Sequence, residues 1–140
     1  MKKRKIGLGK TALRLIDVDL EDEVVQGVLD ARNSLGGQFP EHVRSITVHK
    51  EALVPNAREP WVYTNGECTD VTGNSKIDIY EGSIIRTGPI HNLRGFAQRV
   101  TRHEIDHANH GRERQDGAWF NGELSIAEQE ARAENFEDDF

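Results

Sequence analysis

One segment constrains this chain more than any other. From Asn92 onward, Leu93, Phe96, Ala97, Val100, Glu104 and His107 recur at helical spacing along one face. The apolar stripe runs directly into ionisable residues at its far end. The segment therefore predicts a long amphipathic helix, capped by Asn92 and stopped at Gly111, with polar chemistry facing the core.

That polar end reads His103-Glu104-Ile105-Asp106-His107, an H-E-x-x-H pattern. Four residues are about one helical turn, so the two imidazoles point the same way and can chelate one divalent metal. Glu104 lies on the adjoining edge, where a carboxylate can take the proton of a metal-activated water. Five letters also arise by chance, but the position at the end of an apolar stripe favours a metal site.

A catalytic metal of this kind takes three protein ligands and one open position. A third histidine six residues after the second is ruled out, because Glu113 stands there. His110 lies on a neighbouring face. Two candidates remain for the third ligand. One is Cys68; the other is a glutamate on the last helix, Glu128 or Glu130, as in gluzincin peptidases.

The rest of the chain reads as α+β. A first helix is predicted over Leu20 to Ser34, with Asp19 as N-cap. Strands are predicted over Val43–Val48, over Trp61–Thr64, ended by a turn at Asn65-Gly66, and over Lys76–Tyr80. Ser83–Thr87 is expected to pair back on Lys76–Tyr80 as a hairpin after a turn at Glu81-Gly82. Arg112 to Gly122 reads as loop, with Trp119-Phe120 as a docking anchor. Ser125 to Glu128 spells a capping box that opens a final helix.

Composition narrows the function classes. The 140 residues hold 18 Lys+Arg and 24 Asp+Glu, a net charge of −6, which argues against a general nucleic-acid binder. A single cysteine excludes an internal disulfide framework. No apolar run approaches the roughly 18 residues of a membrane span, and no signal-peptide core follows the basic start. These features predict a cytoplasmic, single-domain protein over residues 1–140, without membrane or specific nucleic-acid partners. Residues 1–5 and 137–140 are expected to be flexible basic and acidic tails.

Two blocks resemble the peptide deformylase family. Cys68-Thr69-Asp70-Val71-Thr72-Gly73 is similar to that family's C-L-S-V-P-G segment at Cys68, Val71 and Gly73. Arg102-His103-Glu104-Ile105-Asp106-His107 is similar to its Q-H-E-x-D-H block, including the acid between the histidines. Gly95 to Val100 is similar to the G-x-x-A-R-V approach. Gly66-Glu67 transposes two letters of the family's E-G-C, and Arg102 and Ala108 replace its Gln and Leu. Gly111 falls one residue late. The third family block is not cleanly present, and Leu35-Gly36-Gly37-Gln38 stands in its place.

The resemblance covers about residues 22 to 111 and implies a small metallohydrolase, with small antiparallel sheets packed around a central H-E-x-x-H helix. It implies Cys68, His103 and His107 as ligands of one divalent ion per chain, natively Fe(II), with Zn(II), Ni(II) or Co(II) also able to bind. It further implies hydrolysis of the formyl group of N-formylmethionyl nascent peptides by a monomer. Glu104 would be the base, and the Thr69 backbone N–H and the Gln38 amide the oxyanion donors. The substrate would lie as an added strand on a sheet edge. Its methionine would enter an apolar pocket drawn from Phe39, Ile84, Phe96 and Val100. Gluzincin-type endopeptidase activity through Glu130 or Glu128, or metal or peptide binding without turnover, are the alternatives.

Overall fold

The computed structural model describes residues 1–119 and 122–139. In chain order the elements are β1 (Lys3–Leu8), β2 (Thr11–Ile16), α1 (Glu23–Ser34), β3 (Val43–His49), β4 (Gly66–Val71), β5 (Asn74–Tyr80), α2 (Glu81–Thr87), α3 (Leu93–Gln115) and α4 (Ile126–Asp138). The strands form one five-stranded sheet in the order β1-β2-β3-β5-β4.

The chain is α+β as expected, but the sheet is mixed. β1 and β2 form an antiparallel hairpin, and so do β4 and β5. Between them β2 pairs parallel with β3, and β3 parallel with β5. The expectation of small antiparallel sheets is thereby corrected. A parallel pair needs a crossover, and α1 supplies it between β2 and β3.

Leu13, Leu15, Ile46, Val48, Ile77 and Ile79 are fully or almost fully buried on one face of the sheet. Their register partners alternate with polar residues, as one-sided burial requires. They form one core with Val24, Val25 and Val28 of α1 and Ala97, Ile105 and Ala108 of α3. The two helices cross at Gly27, where an added Cβ would stand 2.3 Å from the Arg94 carbonyl oxygen and 2.7 Å from the Ala97 Cβ.

Several expected elements move. The basic start is an ordered edge strand, β1, and Glu137 and Asp138 belong to α4. α1 is capped by Asp22, which accepts from the Val24 N–H at 2.9 Å, in place of Asp19. Trp61–Thr64 makes a single bridge, Leu53 to Thr64, while the strand begins at Gly66, where a turn was expected. The β4–β5 hairpin turns at Thr72-Gly73, both at positive φ, as a type I′ turn demands.

Ser83–Thr87 is helix α2, not a return strand. Ile84 and Ser83 are fully buried, and the Ser83 hydroxyl accepts from the Leu53 N–H at 2.9 Å. Packing against the 50–53 segment overrides the β propensity of the paired isoleucines. Likewise α3 runs on through Gly111 to Gln115. Gly111 serves close approach there, since an added Cβ would meet Asp70 Cγ of β4 at 2.8 Å. Trp119 packs its ring against His110 at 5.3 Å between centroids, and Phe120 lies outside the described residues. No described helix is long and apolar enough to cross a membrane.

Candidate metal centre

α3 presents His103 and His107 one turn apart, and their Nε2 atoms stand 3.2 Å from each other. α4 brings the third group. Glu130 Oε1 lies 2.8 Å from His107 Nε2, and Oε2 lies 3.1 Å from His103 Nε2. Donors each about 2.0–2.1 Å from a tetrahedral ion stand about 3.3–3.4 Å apart, so the spacing is close to that of three ligands around one ion. His103, His107 and Glu130 could hold a metal ion, and among the described residues no other such group forms.

A second acid orients the first histidine. His103 Nδ1 lies 3.0 Å from Glu137 Oε1. With its Nδ1–H donating there, the ring turns the Nε2 lone pair toward Glu130 and His107. The Arg102 guanidinium donates to the Glu137 carbonyl oxygen at 2.7 and 3.0 Å, which fixes that turn of α4. Arg132 ties the helices together further along, at 3.1 Å from Asp106 and 2.6 Å from Glu113. Asp106 is thus an ion-pairing residue of the α3–α4 contact. Glu128 is used by the capping box, accepting from the Ser125 N–H at 3.1 Å, and is not part of the cluster.

Cys68 is not among the residues gathered with His103 and His107, where the third group is the Glu130 carboxylate. It points from β4 toward α3 and lines the same cavity as Glu104, His107 and Glu130. Burial, with the Glu104 and Asp70 carboxylates adding to it, pushes its thiol up to about 12, so it stays protonated at neutral pH. Gln38 is also displaced. It is exposed in the loop after α1 and borders a different cavity, beside Asn109 and Phe136. Thr69 lies on β4 at the rim of the cluster's cavity, as a backbone donor would need to.

Glu104 is 8% exposed and stands between two cavities that meet at the cluster. Burial raises its carboxyl to about 7, against the lowering pull of His103. Gly66 makes room for it, since a Cβ there would meet Glu104 Cγ at 3.0 Å. The two imidazoles differ. Burial opposes charge on His103, but Glu137, Glu104 and Glu130 outweigh it and raise its affinity for protons. His107 is lowered, by burial first and by its neighbour His103, against the pull of Glu130.

The larger cavity, about 430 Å³, runs along α3 past His107, His110 and Arg114, between β4 and α4. The smaller, about 280 Å³, lies on the other side of Glu104 over Phe96 and Val100. Of the four residues expected to offer an apolar pocket, these two line it. Phe39 and Ile84 are buried in the core instead.

Glu137 and Gly66 were the residues that sequence reasoning missed. Glu137 had a readable signal, because it falls seven residues after Glu130 and so on the same helical face. Gly66 had none, as a glycine beside Asn65 signals a turn. Compared with known proteins, the chain matches no family model, no curated protein and no solved structure.

Proposed function

We propose that the protein is a metal-dependent amide-bond hydrolase of the gluzincin type. In this reading His103, His107 and Glu130 hold one divalent ion, and Glu104 is the general base. The observation that carries it is the Glu130 carboxylate set between the two Nε2 atoms, 2.8 and 3.1 Å away. Two imidazoles and one carboxylate form a ligand set of zinc hydrolases. A bound ion would supply Lewis-acid polarisation of the scissile carbonyl and lower the pKa of its water.

The protein's own groups do the rest. Glu104 takes a proton from the attacking water and delivers it to the leaving nitrogen. A carboxyl raised to about 7 is suited to both directions of transfer. β4 is an edge strand of the sheet, so its outer edge can pair with the backbone of an extended peptide. The Phe96 and Val100 floor suits an apolar side chain next to the reacting bond.

Deformylase-like action on N-formylmethionyl peptides is the second reading. It shares Glu104, and it is favoured by the presence of Cys68 in the cluster's cavity. Metal content separates the two. Glu130→Ala is expected to lose stoichiometric zinc while Cys68→Ala retains it. The opposite pattern would overturn the gluzincin assignment. Turnover of an internal peptide bond, against release of formate from formyl-Met-Ala-Ser, then names the substrate.

A further inference from the structure

The chain's net charge of −6 conceals a strong segregation. Residues 1–16 contain Lys2, Lys3, Arg4, Lys5, Lys10 and Arg14 and no acid, whereas the other 124 residues carry 12 basic and 24 acidic side chains. These sixteen residues hold the β1–β2 hairpin. Lys2 pairs with Asp19 and Lys10 with Glu41. Among the described residues no carboxylate pairs with Lys3, Lys5 or Arg14.

Strand register places these three on the face of the sheet opposite the helices. Lys3, Ile16, His49 and Tyr80 form one row across four strands, and Lys5, Arg14, Thr47 and Asp78 form the next, which ends at Glu67 of β4. In the first row the His49 and Tyr80 rings stack, 4.9 Å apart and inclined by 14°. A cationic stripe therefore borders an aromatic pair on one uncovered sheet face.

Lysines on an edge strand often serve only to prevent strand addition. That accounts for β1. It does not account for Arg14, which is exposed on β2, an interior strand paired on both sides. From this arrangement we infer that the uncovered sheet face binds single-stranded nucleic acid. Lys3, Lys5 and Arg14 take phosphates, and bases lie toward His49 and Tyr80. The Asp78 carboxylate in the same row holds His49 Nε2 at 2.8 Å through one oxygen, and its second oxygen can accept from exocyclic base amines.

The test is fluorescence anisotropy of a labelled 15-nucleotide single strand with the full-length protein at 50 mM and 200 mM salt. Three phosphate contacts predict about twenty-fold weaker binding at the higher salt. Lys3→Glu/Lys5→Glu/Arg14→Glu is expected to abolish binding, and the milder Lys3→Gln/Lys5→Gln/Arg14→Gln to weaken it at least ten-fold, both with unchanged circular dichroism. Tyr80→Ala should weaken it about five-fold or more through lost stacking. The inference is overturned if the wild type does not bind at 50 mM salt, or if the glutamine variant binds as the wild type does. It is equally overturned by a preference for the matching duplex, or by binding to phosphatidylserine vesicles without binding to the oligonucleotide.

Discussion

Glu137 Oε1 stands 3.0 Å from His103 Nδ1, on the side of the ring away from the Nε2 that faces Glu130. A carboxylate in that position fixes the tautomer and raises the basicity of the ligating nitrogen. Glu137→Ala is therefore expected to weaken zinc affinity by about 10–100-fold, the usual effect of losing such a partner. Competition titration with a chromophoric chelator reads this directly. An unchanged affinity would reduce Glu137 to a packing residue of α4.

Glu104 follows His103 in sequence but is not one of the clustered groups. Glu104→Gln should retain zinc at the wild-type stoichiometry and lose about 10²–10⁴-fold in peptide hydrolysis. A glutamine variant with full activity would show that another group moves the proton.

Glu81 carries a pH-dependent stability term remote from the cluster. Burial, then the Asp22 carboxylate beside it, pushes Glu81 up to about 8 from an ordinary 4.5. The folded state thus holds this proton more tightly than the unfolded one. Stability from this group is fully present below about pH 4.5 and declines as pH rises to about 8. Glu81→Gln should match the wild type near pH 4 and exceed it at pH 8, by on the order of 1 kcal/mol after solvent screening. Thermal melts at both pH values decide it, and an equal difference at the two would refute the coupling.

Gly27→Ala tests the crossing of α1 and α3. Alanine would improve helix propensity by about 1 kcal/mol. Its Cβ would however stand 2.3 Å from the Arg94 carbonyl oxygen, a backbone atom of α3 that cannot step aside alone. Overpacking at a close contact costs about 1–3 kcal/mol, and the helices must separate to relieve it. A lower denaturation midpoint is expected, and an unchanged or higher one would mean the helices have slack here.

The parts of this fold that were legible in sequence share a cause. The α3 stripe from Leu93 to His107, the strand Lys76–Tyr80 and the Ser125–Glu128 box each carry their own periodicity or cap. The misread parts depend on distant neighbours. Ser83–Thr87 looks extended until the Leu53 N–H and the core claim Ser83 and Ile84. Residues 1–5 look like a solvated tail, although Lys3, Arg4 and Lys5 open β1, because its partner strand supplies the apolar face. The pairing of His103 with His107 on one helix face is local and was legible. That Glu130 rather than Cys68 lies beside them was not, because it turns on how α4 docks on α3.

That docking has a thermodynamic consequence. α4 fully buries one side chain, Ala133, packs Phe136 against the core, and is otherwise tied to α3 through Glu130, Arg132, Glu137 and Asp138. A helix of this length is marginal alone, so the fraction of molecules with α4 seated depends on those ties. Only seated molecules offer Glu130, so under the proposed metal site the apparent dissociation constant would be the intrinsic one divided by the seated fraction. Substitutions such as Arg132→Ala, which touch no metal ligand, should then register as weaker metal binding. At the proposed site an ion would act as a clasp whose measured grip reports how firmly the last helix sits.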